Sequence, residues 1–118
     1  MRDEELIELA RAYVALSNAH RPALIAAMFD HRSSYHSAAF GQFDGVQAII
    51  EMMSGFFQRY PDVYWQAQNF RVSGNSVSFD FSMRASEAGS AALLQRRGVE
   101  SINFDAQGII RKLVVHNL

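Results

Sequence analysis

Asp62-Val63-Tyr64-Trp65-Gln66-Ala67-Gln68-Asn69-Phe70-Arg71-Val72-Ser73-Gly74-Asn75-Ser76-Val77-Ser78-Phe79-Asp80-Phe81-Ser82-Met83-Arg84 is the stretch whose reading decides the fold. Its hydrophobic residues recur at every second position, the period of a strand with one buried face. Val63, Trp65 and Ala67 share one parity, and Phe70 and Val72 take the other. A single phase change of this kind marks a β-bulge or a sharp bend. Ser73-Gly74-Asn75-Ser76 reads as a hairpin turn. Beyond it, Val77, Phe79, Phe81 and Met83 alternate with Ser78, Asp80, Ser82 and Arg84, the cleanest strand pattern in the chain.

Working outward, Ser86-Glu87-Ala88-Gly89-Ser90 is a flexible connector, and a strand is expected from about Leu93 to Phe104 with Gly98 as a bulge. Asp105-Ala106-Gln107-Gly108 makes a turn, and Ile109 to His116 a closing strand. Connections this short join only antiparallel neighbours, so the C-terminal half is a meander with one face covered. On the N-terminal side the period is helical. Asp3-Glu4-Glu5 favours a helix N-terminus, and Leu6, Leu9, Ala10, Tyr13, Val14 and Ser17 form an apolar stripe over residues 3–18. Pro22 opens a second, short helix with Leu24, Ile25, Met28 and Phe29 as its buried side. Ser33 to Ser37 reads as a short strand and Gly41-Gln42-Phe43 as a loop. Asp44 caps a third helix, which Pro61 stops.

The chain has 118 residues, enough for one domain with its own core, and 49% hydrophobic against 19% charged residues is a globular balance. A formal net charge of -1 gives no field to attract nucleic acid or an anionic membrane. With no cysteine, disulfides, thiolate nucleophiles and Cys-ligated metals within the chain are excluded. The opening Met1-Arg2-Asp3-Glu4-Glu5 is not a signal peptide and no apolar run has the length of a membrane span, so a cytoplasmic location is expected.

Four segments carry a family resemblance. Leu9-Ala10-Arg11-Ala12-Tyr13-Val14-Ala15 with Asn18-Ala19 looks like a first helix, and Met28-Phe29-Asp30 like the end of a second. Gly45-Val46-Gln47-Ala48-Ile49 looks like the start of a third, and the run from Gly98 to Ile110 like a late hairpin. In this order they resemble the SnoaL-like domains of the nuclear transport factor 2-like superfamily, which includes steroid Δ-isomerases and scytalone dehydratase. The resemblance covers nearly all of residues 1–118 as a single domain. It implies an α+β fold: three N-terminal helices packed on a strongly curved mixed, mainly antiparallel sheet, a cone-shaped half-barrel with an internal pocket. It does not specify activity, because this fold hosts many functions. It further implies a homodimer through the outer sheet face, where Tyr64, Gln66, Gln68 and Ser78 are expected to be exposed.

The resemblance places Tyr13 where the steroid isomerases hold an oxyanion-binding tyrosine, and Glu100 where they hold a protonated carboxylic acid. Parity also turns Glu100 inward, since it shares a side with Ile102 and Phe104. A carboxyl in an apolar site has a raised pKa and can donate a hydrogen bond to a developing enolate. The plainer alternative is a Tyr–Glu hydrogen bond that only orders the pocket wall. At the position of the isomerases' base carboxylate stands Ser37, which cannot abstract a carbon-bound proton unaided. A one-residue register shift would turn His36 inward as the base, against the plainer reading of a surface histidine. By analogy with the dehydratases, Asp30 and His31 offer an acid–base pair, though a helix end suits capping better. No histidine spacing matches a metal site, and His116 lies near the C-terminus.

Tyr35, Ser37, Phe40, Phe56, Trp65, Phe79 and Phe81 are expected to contact a ligand, with Phe40-Gly41-Gln42-Phe43 as a lip over the pocket. Two functions compete. One is a cofactor-independent isomerase, dehydratase or cyclase acting on a small apolar carbonyl compound. There Tyr13 and Glu100 stabilise an enolate, while water, His36 or the substrate moves protons. The other is a non-catalytic ligand-binding or dimeric interaction module, which Ser37 favours. Neither calls for a metal or an organic cofactor, and neither nucleic acid nor membrane is an expected partner.

Overall fold

A computed structural model describes all 118 residues. Helix α1 spans Asp3–Asn18 and buries Leu6, Ala10, Tyr13 and Ser17, a stripe spaced four, three and four residues apart as a 3.6-residue period demands. Its first turn carries Asp3, Glu4 and Glu5, and a Glu5 carboxylate oxygen accepts from the Arg2 backbone N–H at 3.3 Å. Its last residue does unusual work for a helix end. The Asn18 amide donates to the Trp65 carbonyl at 2.9 Å and accepts from the Trp65 N–H at 2.8 Å, so it pairs with an edge strand as a neighbouring strand would. Helix α2 (Pro22–Ala26) is one turn long, and Leu24 is exposed rather than part of its buried side. Helix α3 (Val46–Arg59) ends where Tyr60 precedes Pro61. Its N-cap is Gly45 at φ +85°, not Asp44. Gly45 and Val46 donate their N–H groups to the Ser33 and Asp30 carbonyls at 2.7 and 3.0 Å, so backbone supplies what an Asp44 cap would have given.

Six strands form one mixed sheet. These are β1 (Ser34–Ser37), β2 (Gly41–Asp44), β3 (Tyr64–Ser73), β4 (Ser76–Ser86), β5 (Leu93–Phe104) and β6 (Ile110–Asn117), in the order β2-β1-β6-β5-β4-β3. Only β1 and β6 run parallel. The expected loop at Gly41-Gln42-Phe43 is thus an edge strand, created by pairing with β1 and not by any alternation of its own. The phase change within β3 is a true register shift between Gln68 and Arg71, with Asn69 at φ +58°. Arg71 and Asn69 both bond Asp80 across it, at 3.1 and 2.9 Å. Gly74 turns the β3–β4 hairpin at φ +60°, as a glycine at the first central position allows. Gly98 is not a bulge. Its pairing with Phe81 is in register, and the absence of a side chain there answers to close packing instead.

The helices cover one face of the sheet. The inward row of β4 (Val77, Phe79, Phe81, Met83 and Ala85) is buried along its whole length. At one end, Leu6, Ile25, Ile49, Ile102, Phe104 and Ile110 close with it into a filled core. Arg111 pins the neighbouring loops by ion pairs to Asp30 at 2.6 Å and Asp105 at 3.3 Å.

Candidate functional site

Strand register assembles the site. On β5 the even-numbered residues face the helices. Glu100 lies level with Phe79 on β4 and Val115 on β6, and Val115 lies level with Ser37 on β1. One step along β5, Gly98 lies level with Phe81 and Asn117, and one step further Arg96 pairs with Met83. From the Glu100 row onward the space between sheet and helices is not filled. It forms a cavity of about 60 Å³, walled by Tyr13 and Ser17 of α1, by Met52, Met53, Phe56 and Phe57 of α3, and by Trp65 of β3. Phe40, in the β1–β2 turn, stands at its mouth, 5.4 Å edge-on to Phe56 and 44% exposed. Gly98 holds the strands close beneath it. A Cβ there would collide with the His116 carbonyl and lie 2.9 Å from the Phe81 ring.

Most of the lining is apolar, and its polar groups are set apart in kind. Glu100 is the only carboxyl in it. Burial alone pushes its pKa up to about 8, with no hydrogen bond or opposite charge to offset the lost water. Burial also raises the Tyr35 hydroxyl, and the Glu100 charge raises it further. Tyr13 is raised by burial, then by Tyr35 and Glu100, with only a Ser17 contact acting the other way. At neutral pH the two tyrosines are protonated and burial favours the protonated form of Glu100, so up to three O–H donors share one apolar pocket. An acceptor such as a carbonyl oxygen satisfies donors of this kind, and its charge on enolisation would be stabilised by them.

The residues expected from sequence divide clearly. Tyr13, Tyr35, Ser37 and Glu100 line the cavity on its polar side, and Phe40, Phe56, Trp65 and Phe81 form its aromatic wall. His36 does not belong to it. Tyr35 and Ser37 pair with Leu113 and Val115, which face inward, so His36, paired with Val114 between them, projects outward and is exposed. The inward base that a register shift would have supplied is therefore ruled out. Phe79 is also corrected. It is fully buried, its ring 4.9 Å from Phe70, and belongs to the solid core beside the pocket. Asp30 is engaged with Arg111, and His31 and His116 are exposed away from the cavity. Ser37 is buried, and its Oγ accepts from the Ala39 and Phe40 N–H groups at 3.2 and 3.3 Å. On the outer face Tyr64, Gln66 and Gln68 are exposed, while Ser78 is half-buried and bonds Ser101 at 2.8 Å. Sequence reasoning missed Arg96 and Asn117, although the alternation that turned Glu100 inward also turns Arg96 to the same side.

No curated protein sequence matches this chain significantly. Solved structures match it closely in shape. SalBIII, described as an epoxide hydrolase/cyclase-like enzyme with a role in pyran ring formation in polyether salinomycin, superposes with a TM-score of 0.88 at 16% identity, over 100% of this chain and 95% of its own. A SnoaL-like polyketide cyclase candidate from Shewanella putrefaciens CN-32 gives 0.86 at 14% identity, over 96% and 89% of the two chains. A protein with a ketosteroid isomerase-like fold from Catenulispora acidiphila DSM 44928, in complex with trimethylamine, gives 0.84 at 14% identity, over 92% and 84%. At these identities the likeness is one of fold, the cystatin-type cone of nuclear transport factor 2-like proteins. No helix is long and apolar enough to cross a membrane. A family model described as SnoaL-like domain matches residues 10–112, and the chain belongs to that family.

Proposed function

We propose that the pocket receives the carbonyl group of a small apolar molecule, and that Tyr13 and Glu100 donate hydrogen bonds to its oxygen as that oxygen gains enolate charge. The observation that carries this reading is Glu100, buried as the only carboxyl of an apolar cavity that Tyr13 and Tyr35 also line, without a partner of its own and with its pKa raised by burial. A neutral acid in a dry site stabilises a developing oxyanion without reorganising. With His36 outside and Ser37 tied into a turn, no separate base lines the cavity. The α-proton therefore passes to water or to a basic atom of the substrate. That restricts turnover to carbonyl compounds that ionise easily at carbon, such as 1,3-dicarbonyls. The reaction is then an isomerisation, a dehydration or an aldol-type cyclisation, and the ring-forming chemistry named for SalBIII is of a compatible kind.

A panel of apolar mono- and 1,3-dicarbonyl compounds, read by thermal shift and by turnover, tests this. Tyr13→Phe and Glu100→Gln should each lower kcat/KM about 10²- to 10³-fold. Full activity in both variants would overturn the assignment. Tight binding without turnover would favour the second reading, a non-catalytic ligand-binding module, which the engaged hydroxyl of Ser37 supports. We also propose a homodimer through the sheet face that no helix covers, around Tyr64 and Gln66. A monomeric mass in sedimentation at every protein concentration would remove it.

A further inference from the structure

A second depression, of about 630 Å³, wraps the edge of β5 where β6 stops pairing with it at Gly98–Asn117. Met83, Arg96 and Asn117 line both spaces, so the two adjoin. Arg84, Arg96 and Arg97 line the depression and no Asp or Glu does, with Arg96 on the helix side of β5 and Arg84 and Arg97 on the outer face. None of the three takes part in any of the chain's five ion pairs. On a chain of net charge -1, three arginines without ion pairs about one strand edge are a local excess of positive charge. Arg96 stands at the junction. Its Nε is buried without a hydrogen-bond partner, and its guanidinium lies 5.6 Å from the Phe40 ring centroid at the mouth. A buried guanidinium N–H without an acceptor is costly, and an anionic oxygen is the acceptor that best satisfies it. The cavity itself, at about 60 Å³, holds only the head of a ligand, and the depression beside it offers room for a remainder.

We propose that the ligand carries an anionic group, a carboxylate or a phosphate, which binds at Arg96. Its carbonyl-bearing apolar end reaches inward to Tyr13 and Glu100. This deepens the carbonyl-pocket reading and rests on it for the inner end. Arg96 and Glu100 are four residues apart on one strand, a span of about 13 Å between their Cα atoms. Allowing for the reach of an arginine, the carbonyl and the anion are separated by roughly six bonds.

Four probes separate the claims by isothermal titration: 7-oxooctanoate, its methyl ester, octanoate as the analogue without the ketone, and 5-oxohexyl phosphate, which keeps the six-bond spacing. The expected result is that 7-oxooctanoate binds at least tenfold more tightly than its ester, with the preference shrinking as salt rises. Arg96→Met should reduce the acid to the ester's affinity and leave the ester unchanged. Arg84→Gln with Arg97→Gln, both exposed on the outer face, should lower acid binding far less than Arg96→Met does. The phosphate probe decides which anion the arginines prefer, and a phosphate that outbinds the acid supports the same assignment. Equal binding of acid and ester, or an acid preference untouched by Arg96→Met, would overturn the anionic tail alone. Octanoate binding as well as 7-oxooctanoate would overturn the carbonyl reading alone and leave the tail standing. Failure of both carboxylates and of the phosphate to bind would overturn the proposal.

Discussion

The two ends of the β4–β5 ladder share one inward face and one register, yet one end is solid and the other hollow. At the solid end Val77, Phe79, Ile102 and Phe104 are at most 1% exposed, closed over by residues such as Leu6 and Ile25. At the hollow end Phe81, Met83, Arg96 and Glu100 face Tyr13, Ser17 and the α3 aromatics across open space. Strand alternation decides which side a residue faces. The cover supplied by the helices decides whether that side becomes core or cavity. Phe79 and Glu100 are direct cross-strand partners, and the boundary between the two regimes runs through that pair.

The comparison breaks most severely at the solid end. Phe79→Ala should cost about 3–5 kcal/mol in urea denaturation, because a filled core cannot collapse onto the void. Phe81→Ala, two residues along but bordering the cavity, should cost less than half as much. Equal losses would erase the distinction between the ends.

Glu100 gives a sharper test of dryness at the hollow end. The unfolded chain ionises this carboxyl near 4.5 and the folded chain near 8. The folded state thus binds the extra proton in between. The stability Glu100 contributes is complete below pH 4.5 and is lost as pH rises through 8, on the order of 3 kcal/mol by pH 7. Glu100→Gln should therefore match the wild type near pH 4 and exceed its denaturation midpoint at pH 8. Parallel pH profiles for the two proteins would mean that water reaches the carboxyl. The smallest effect belongs to the rim. Ser37→Ala removes the acceptor for the Ala39 and Phe40 N–H groups and should cost about 1 kcal/mol while leaving the Glu100 pH profile in place.

Much of this was legible beforehand wherever a segment carried its own period. The α1 stripe, the parity change resolved as the Asn69 bulge, the Gly74 turn and the inward side of Glu100 were all local patterns. Arg96 was legible too, four residues along the same alternation, but a charged residue near a strand end reads as solvated until its surroundings are known. Short segments failed for a different reason. β1 is four residues long and takes its facing from a parallel partner more than seventy residues away, so His36 and Ser37 could not be told apart by pattern. β2 exists only because β1 pairs with it, and the α3 cap was supplied by backbone carbonyls of a distant loop instead of by Asp44.

By itself, then, the sequence determined the α+β class, the order of its long elements, the bulge and hairpin of β3–β4, and the side to which each long strand turns its residues. These follow from hydrophobic periodicity and backbone sterics, which act over a few residues. Only the tertiary structure decided that Phe79 is core while Phe81 borders a cavity, that His36 faces out and that Gly98 answers to a close approach. It alone set Arg96 at the junction of an apolar pocket and a basic groove. Those outcomes depend on which helix covers which row and on pairings between distant segments, and no local stretch of the chain contains them.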